Sequence, residues 1–181
     1  MSKCPACDFP HSTVQALLGR IDNLELLVTL ACDFADRVVG RSLRPTEARE
    51  RLRAAREWES KPKEALRAAD KALALMNTLE KDDLAEIAKG TTLRARATAA
   101  VAWATWAASW AIAARKSSEP EETIKEVQQV AGDVAEAAGW VAYDSERKWQ
   151  LNHAEELACT CPRVPKIGLP GIRGRNSLLT G

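Results

Sequence analysis

The chain has 181 residues, 46% hydrophobic and 28% charged, a size and balance that give one domain a real core and exclude a wholly disordered chain. With 26 Lys and Arg against 25 Asp and Glu, the net charge of +1 supplies no global field toward nucleic acid or an acidic surface. Nine Gly, one Tyr and two Phe, beside abundant Ala, Leu, Glu, Lys and Arg, exclude a β-sandwich and favour helices.

Residues 1–11 form a Cys-, Pro- and His-containing lead-in. Its start, Met-Ser-Lys-Cys-Pro-Ala-Cys, lacks the apolar stretch of a secretory signal, so a cytoplasmic location is expected. Ser12 or Thr13 suits the N-cap of a short helix through about Ile21. Asp22 suits the cap of a second, running to about Val39 with Leu24, Leu27, Val28, Ala31, Phe34 and Val38 along one stripe, and Gly40 suits its C-cap. Pro45 or Thr46 opens a third helix that ends near Trp58. Pro62 opens a fourth, expected to stop near Leu79, and Lys81-Asp82-Asp83 starts a fifth that continues to about Arg115. Gly90-Thr91-Thr92 marks a kink or break within it. Ser117-Ser118-Glu119-Pro120-Glu121-Glu122 is a strong helix start, with hydroxyl caps, then Pro, then acids facing the positive end of the dipole. Ile124, Val127, Ala131, Val134, Ala138 and Val141 then recur at spacings of three and four. That periodicity predicts one helix reaching Ala158, roughly 60 Å long, bent at Gly132 or Gly139. Residues 162–181 are rich in Pro, Gly and base without any acid, and read as an extended tail.

Ala97 to Ala114 is a run of eighteen residues without charge, between Arg96 and Arg115. A membrane span needs ~20 apolar residues, driven by Leu, Ile, Phe and Val. Here Leu is missing and Ala predominates, which favours a buried helix, apolar all round, over a span. Trp103, Trp106 and Trp110 follow i, i+3, i+7 spacing and share one face, with Val101, Thr105, Ala108 and Ile112 opposite. The Trp face either fills the core against Ala-rich neighbours or anchors a partner protein or a second copy of the chain.

Four of the five cysteines lie at the ends of the helical region, Cys4 and Cys7 as Cys-Pro-Ala-Cys and Cys159 and Cys161 as Cys-Thr-Cys. Four thiolates can close a tetrahedral structural zinc site that clips the two ends together, with His11 and His153 as spare ligands. Disulfides, a redox dithiol or unpaired thiols are the competing readings. Cys32 lies on an apolar stripe and reads as a buried small hydrophobe. The charged helix from Thr46 to Glu59 carries mixed signs and i, i+4 pairs such as Glu47–Arg51 and Glu57–Lys61, the pattern of a solvated face. The tail combines Arg163, Lys166, Arg173 and Arg175 with Ile167, Leu169, Ile172, Leu178 and Leu179. It is a docking peptide, a segment folded over its own domain, or a disordered end. No Gly-rich phosphate loop, nucleophile elbow or His-Glu-x-x-His occurs, so catalysis is not expected.

The stretch Leu27 to Val39, with Ala31-Cys32-Asp33-x-Ala35-x-Arg37-Val38, and the later Ala54-Ala55-Arg56-x-Trp58 resemble the helical immunity proteins found beside bacterial polymorphic toxins. The likeness extends over about residues 22 to 158, and leaves out the cysteine lead and the basic tail. It implies an all-helical cytoplasmic domain that binds a toxin and blocks it, with Asp33, Arg37, Arg56 and Trp58 as the motif-matched contacts. The alternative for each is a polar contact between helices. The expectation is a single all-α bundle of five or six helices over residues 12–161, serving as a non-catalytic protein-binding module. A structural or scaffold component of a phage or defence assembly, docking through the tail and the Trp-rich helix, is the alternative. Nucleic-acid binding and a membrane span are disfavoured.

Overall fold

A computed structural model describes residues 13–86, 92–142 and 144–159. Among them the chain is all-α, with seven α-helices and no strand. They are α1 (Val14–Leu18), α2 (Leu24–Val38), α3 (Pro45–Arg56), α4 (Pro62–Glu86), α5 (Thr92–Ala114), α6 (Pro120–Ala142) and α7 (Asp144–Ala158), with a 3-10 turn at Val39–Arg41.

The helix starts follow local chemistry. The Thr13 hydroxyl accepts the Ala16 N–H at 3.2 Å and caps α1. Asn23, and not the expected Asp22, caps α2 by accepting the Leu26 N–H at 2.9 Å. Starting one residue later lets Ile21 tuck into the core before the helix begins. Pro45 occupies the first turn of α3, where its missing N–H costs nothing. On the exposed face of that helix and just beyond it, Glu47–Arg51 and Glu57–Lys61 pair at 2.9 and 2.7 Å, as their spacing predicts. The Lys61 ammonium holds the Glu57 carboxyl below its ordinary pKa.

Two boundaries differ from the sequence expectation. Helix α4 does not stop at Leu79 but runs on through Lys81-Asp82-Asp83 to Glu86, and α5 begins only at Thr92. Asp is a mediocre helix former, worth a few tenths of a kcal/mol, and no Pro or Gly lies between Lys63 and Lys89 to end the helix. The predicted rod from Pro120 to Ala158 is two helices, parted after Ala142. Gly132 and Gly139 both lie inside α6. A straight rod would leave Glu146, Gln150, Ala154 and Ala158 in water. The fold-back of α7 buries all four against α1, α2 and α6.

Helix α2 is central. Besides the expected stripe, Leu30, Cys32 and Ala35 are buried, so only Glu25, Asp36 and Arg37 stand fully out. The most extensive helix pair is α5 with α6. Ala97, Ala100, Ala104, Ala107, Ala108 and Ala111 are sealed in α5, and Ala131, Ala135 and Ala138 in α6, so small side chains let the backbones approach closely. Among the described residues, α5 is the one helix long and apolar enough to cross a membrane by length and composition, and two thirds of that window is packed inside the bundle. Arg41 Nη1 donates to the Val141 carbonyl at 2.6 Å, near the negative end of α6.

Candidate functional site

The fold brings three of the four motif-matched residues to one place. Asp33 and Arg37 leave α2 on its outer face, and Arg56 reaches across from the last turn of α3. Arg56 Nη2 donates to Asp33 Oδ1 at 3.0 Å and lies 3.4 Å from Asp36 Oδ2. Partial burial strips hydration from the guanidinium, yet the Asp33 hydrogen bond and the Asp36 charge outweigh it and raise the Arg56 pKa above its usual value.

Helix α7 completes the site with residues the motifs did not include. His153 Nε2 lies 2.8 Å from Asp33 Oδ2, so both oxygens of that carboxylate are engaged. The His153 ring stacks on Trp149 with centroids 4.7 Å apart and planes 14° from parallel. Arg37 places its guanidinium carbon 4.6 Å from the Trp149 ring centre and donates through Nε to Glu146 Oε2 at 3.2 Å. Phe34 meets Trp149 from the core side, 6.2 Å away and nearly perpendicular. Glu146 is only 2% exposed, and among the described residues its Oε1 has no hydrogen-bond partner. Above these contacts lies a shallow depression of about 420 Å³, lined by Asp33, Asp36, Arg37, Trp149 and His153.

This surface presents a partly buried Trp149, the half-exposed guanidinium of Arg37, an exposed carboxylate at Asp36 and the His153 imidazole. Asp33 and His153 resemble the base half of a nucleophilic pair, and Cys32 is the nearest thiol in sequence. But Cys32 points into the core, where burial pushes its thiol up to about 12, with Asp33 and Asp36 adding to the rise and Arg56 opposing it.

The other expected site residues fall elsewhere. Trp58 is buried, with the Arg115 guanidinium 4.4 Å from its ring centre and Arg115 paired with Glu59, so it packs the interior and offers no face to a partner. Trp103 and Trp106 are half-buried against the core, while Trp110 is 40% exposed. Their opposite face, with Val101, Thr105, Ala108 and Ile112, is fully packed. Of the four cysteines expected at zinc, Cys159 follows α7 and is partly buried, whereas Cys4, Cys7 and Cys161 lie outside the described residues, as do His11 and the basic tail. Among the described residues no cluster of three or more His, Cys, Asp or Glu has a metal-binding arrangement. His153 is committed to Asp33 and Trp149.

Glu146, Trp149, Gln150 and His153 follow one another at i, i+3, i+4 and i+7, a readable stripe once α7 is recognised as a separate helix. The expected continuous rod concealed it. The geometry thus defines the class of protein: an all-α bundle with an aromatic and ionic patch built by α2, α3 and α7. Compared with known proteins, the chain matches no family model, no curated protein and no solved structure.

Proposed function

We propose that this chain is a non-catalytic protein-binding module whose contact surface is the patch of Asp36, Arg37, Trp149 and His153. The observation that carries the reading is the prearrangement of that patch. Trp149 is held between Phe34, Arg37 and His153, and Asp33 ties α2 to α3 and α7, so little side-chain entropy remains to be lost on binding. Trp and Arg are the residues that most often anchor protein interfaces. A shallow, ion-rimmed depression suits a protein surface better than a small molecule enclosed on all sides.

The resemblance of the α2 and α3 motifs to helical immunity proteins gives the concrete form of the proposal: a cytoplasmic inhibitor of a toxin encoded beside it. Co-expression with that toxin tests it. Arg37→Glu reverses the exposed charge and is expected to abolish protection and weaken the purified complex by roughly a hundredfold, the size of a hot-spot loss. Protection and affinity that survive Arg37→Glu in a protein of unchanged melting temperature would refute the patch as the contact surface.

A second reading, a scaffold component that self-associates, is favoured by Trp110, Leu66 and Leu73, large apolar side chains exposed on the packed pair α4 and α5. It predicts a concentration-dependent oligomer that Trp110→Ser dissociates. A chain that stays monomeric at high concentration removes that reading.

A further inference from the structure

Helix α7 is fastened to the bundle differently from its neighbours. Its buried side chains, among those described, are Glu146, Gln150, Ala154 and Ala158, spaced four apart along the inward face. No large aliphatic side chain is among them. Trp149 and Leu151 are only partly buried, and Leu157 is 40% exposed. By contrast, α2 seals in Leu27, Leu30 and Phe34, and α6 seals in Val127, Val134 and Val141. Hydrocarbon taken out of water is what drives a helix onto a core, in proportion to its area, and two alanines supply little.

The two polar members of that face each make one bond and leave one oxygen over. Glu146 Oε2 accepts from Arg37 Nε at 3.2 Å, and Gln150 Nε2 donates to the Ala135 carbonyl at 3.0 Å. Glu146 Oε1 and Gln150 Oε1 are the two buried side-chain atoms that lack a hydrogen-bond partner among the described residues. Both lie on the inner face of this one helix. Each oxygen regains water when the helix lifts, so release recovers a desolvation cost that docking imposes. The Arg37 side chain is half-exposed, so water also reaches the Glu146 ion pair and weakens it. His153 and Asp33 are each about a quarter exposed, which puts their contact at the wet edge of the interface.

We infer that α7 is a releasable strap, which lifts off the bundle as a unit while α2 to α6 stay folded. Its 15 residues are close to the lower limit for a helix standing alone in water, so the lifted strap unwinds. Lifting carries Trp149 and His153 away from Asp33 and Arg37. The patch of the preceding section is thereby split into an α7 half and an α2–α3 half, and a bound partner gains a route of release. That control over binding rests on the patch being the contact surface, whereas the release of α7 does not.

Hydrogen–deuterium exchange of the full chain, read segment by segment with no partner present, tests the strap. Amides of residues 149–158 are expected to be protected about a hundredfold less than the core amides of α5 and α6. Low urea is expected to leave that difference in place, because a local opening exposes little surface. Gln150→Leu replaces the stranded amide with hydrocarbon and is expected to slow exchange in α7 about tenfold, with α5 and α6 unchanged. Leu151→Ser, at the partly buried margin, supplies the opposite arm if Gln150→Leu does not fold: exchange in α7 about tenfold faster, again with α5 and α6 unchanged. Protection of α7 equal to that of α5 and α6 in the unaltered chain overturns the inference. So does a folded Gln150→Leu chain whose α7 exchanges no more slowly, or a Leu151→Ser chain in which all three helices speed up together. Failure of the contact patch is read separately, from Arg37→Glu in co-expression, and leaves these exchange rates as they are.

Discussion

Cys32 sits one residue from the Asp33 carboxylate that ties α2 to α3 and α7, yet is sealed in the core. Its thiol is pushed up to about 12 from 9.0 in the unfolded chain, chiefly by burial. Below pH 9 both states hold the proton and the group contributes nothing to the pH dependence. Between pH 9 and 12 the unfolded chain releases the proton while the native chain keeps it, so the unfolded state binds fewer protons and stability falls as pH rises. Each pH unit in that window is worth a little over ~1 kcal/mol, which gives a loss of roughly 1 kcal/mol by pH 10 and at most ~4 kcal/mol near pH 12. Lysines and other groups titrate in the same range, so the contribution is isolated by comparison with Cys32→Ala. That variant loses a buried sulfur, a cost of about 1 kcal/mol that does not change with pH. Urea unfolding of both proteins at pH 8 and pH 10 measures the difference. Cys32→Ala is expected to be the less stable at pH 8, and to reach or pass the unaltered chain at pH 10. A stability gap identical at the two pH values would mean that the native thiol ionises as freely as the unfolded one. The placement of α2 with Cys32 inward and Asp33 outward would then be wrong.

Other outcomes follow from single contacts. Asn23→Ala removes the α2 cap and is expected to cost about 1 kcal/mol in chemical denaturation, whereas Asp22→Ala leaves stability within about 0.5 kcal/mol. Ala108→Leu forces a larger side chain into the closely packed wall of α5 and is expected to cost about 1–3 kcal/mol, read as a lower melting temperature. Phe34→Ala removes the core support beneath Trp149 and is expected to cost about 3–5 kcal/mol, with weakened partner binding as the second readout. The zinc clip of Cys4, Cys7, Cys159 and Cys161 predicts about one zinc per chain by elemental analysis, lost in Cys4→Ser. Metal-free protein with the same melting temperature as Cys4→Ser would end that proposal.

Much of the architecture was legible because it depends on local rules. Thr13, Pro45, Pro62 and Pro120 mark helix starts through backbone chemistry that acts over a single turn. The apolar stripe of α2 appears in the periodicity, as does the packed face of α5 opposite its tryptophans. The errors occur where a boundary depends on distant packing. Nothing between Lys63 and Lys89 distinguishes a helix that stops at Leu79 from one that runs to Glu86, since the residues on either side are comparable helix formers. Gly132 and Gly139 both lie within the unbroken α6: a Cβ on Gly139 would stand 3.3 Å from Arg147 Cγ and crowd it, whereas one on Gly132 would make only ordinary contact with Gln15.

The same distinction explains how the site was half read. Asp33, Arg37 and Arg56 stand in short motifs, so their grouping is visible before any fold is known. Their partners on α7 are more than a hundred residues along the chain from Asp33 and Arg37, and only the fold-back after Ala142 brings them near. That fold-back is driven by the inward stripe of Glu146, Gln150, Ala154 and Ala158, two members of which are polar. A helix that buried only hydrocarbon there would bind the bundle at least as well. Glu146 instead holds Arg37 against Trp149, and Gln150 holds α7 to the Ala135 carbonyl. Replacing Glu146 with Leu is therefore expected to leave the melting temperature the same or higher while freeing Arg37 from its perch. Arg37 exposure to guanidinium-modifying reagents would increase and partner affinity would fall. A variant that loses stability and affinity together would make Glu146 a strut of the fold instead of a residue kept to shape the patch.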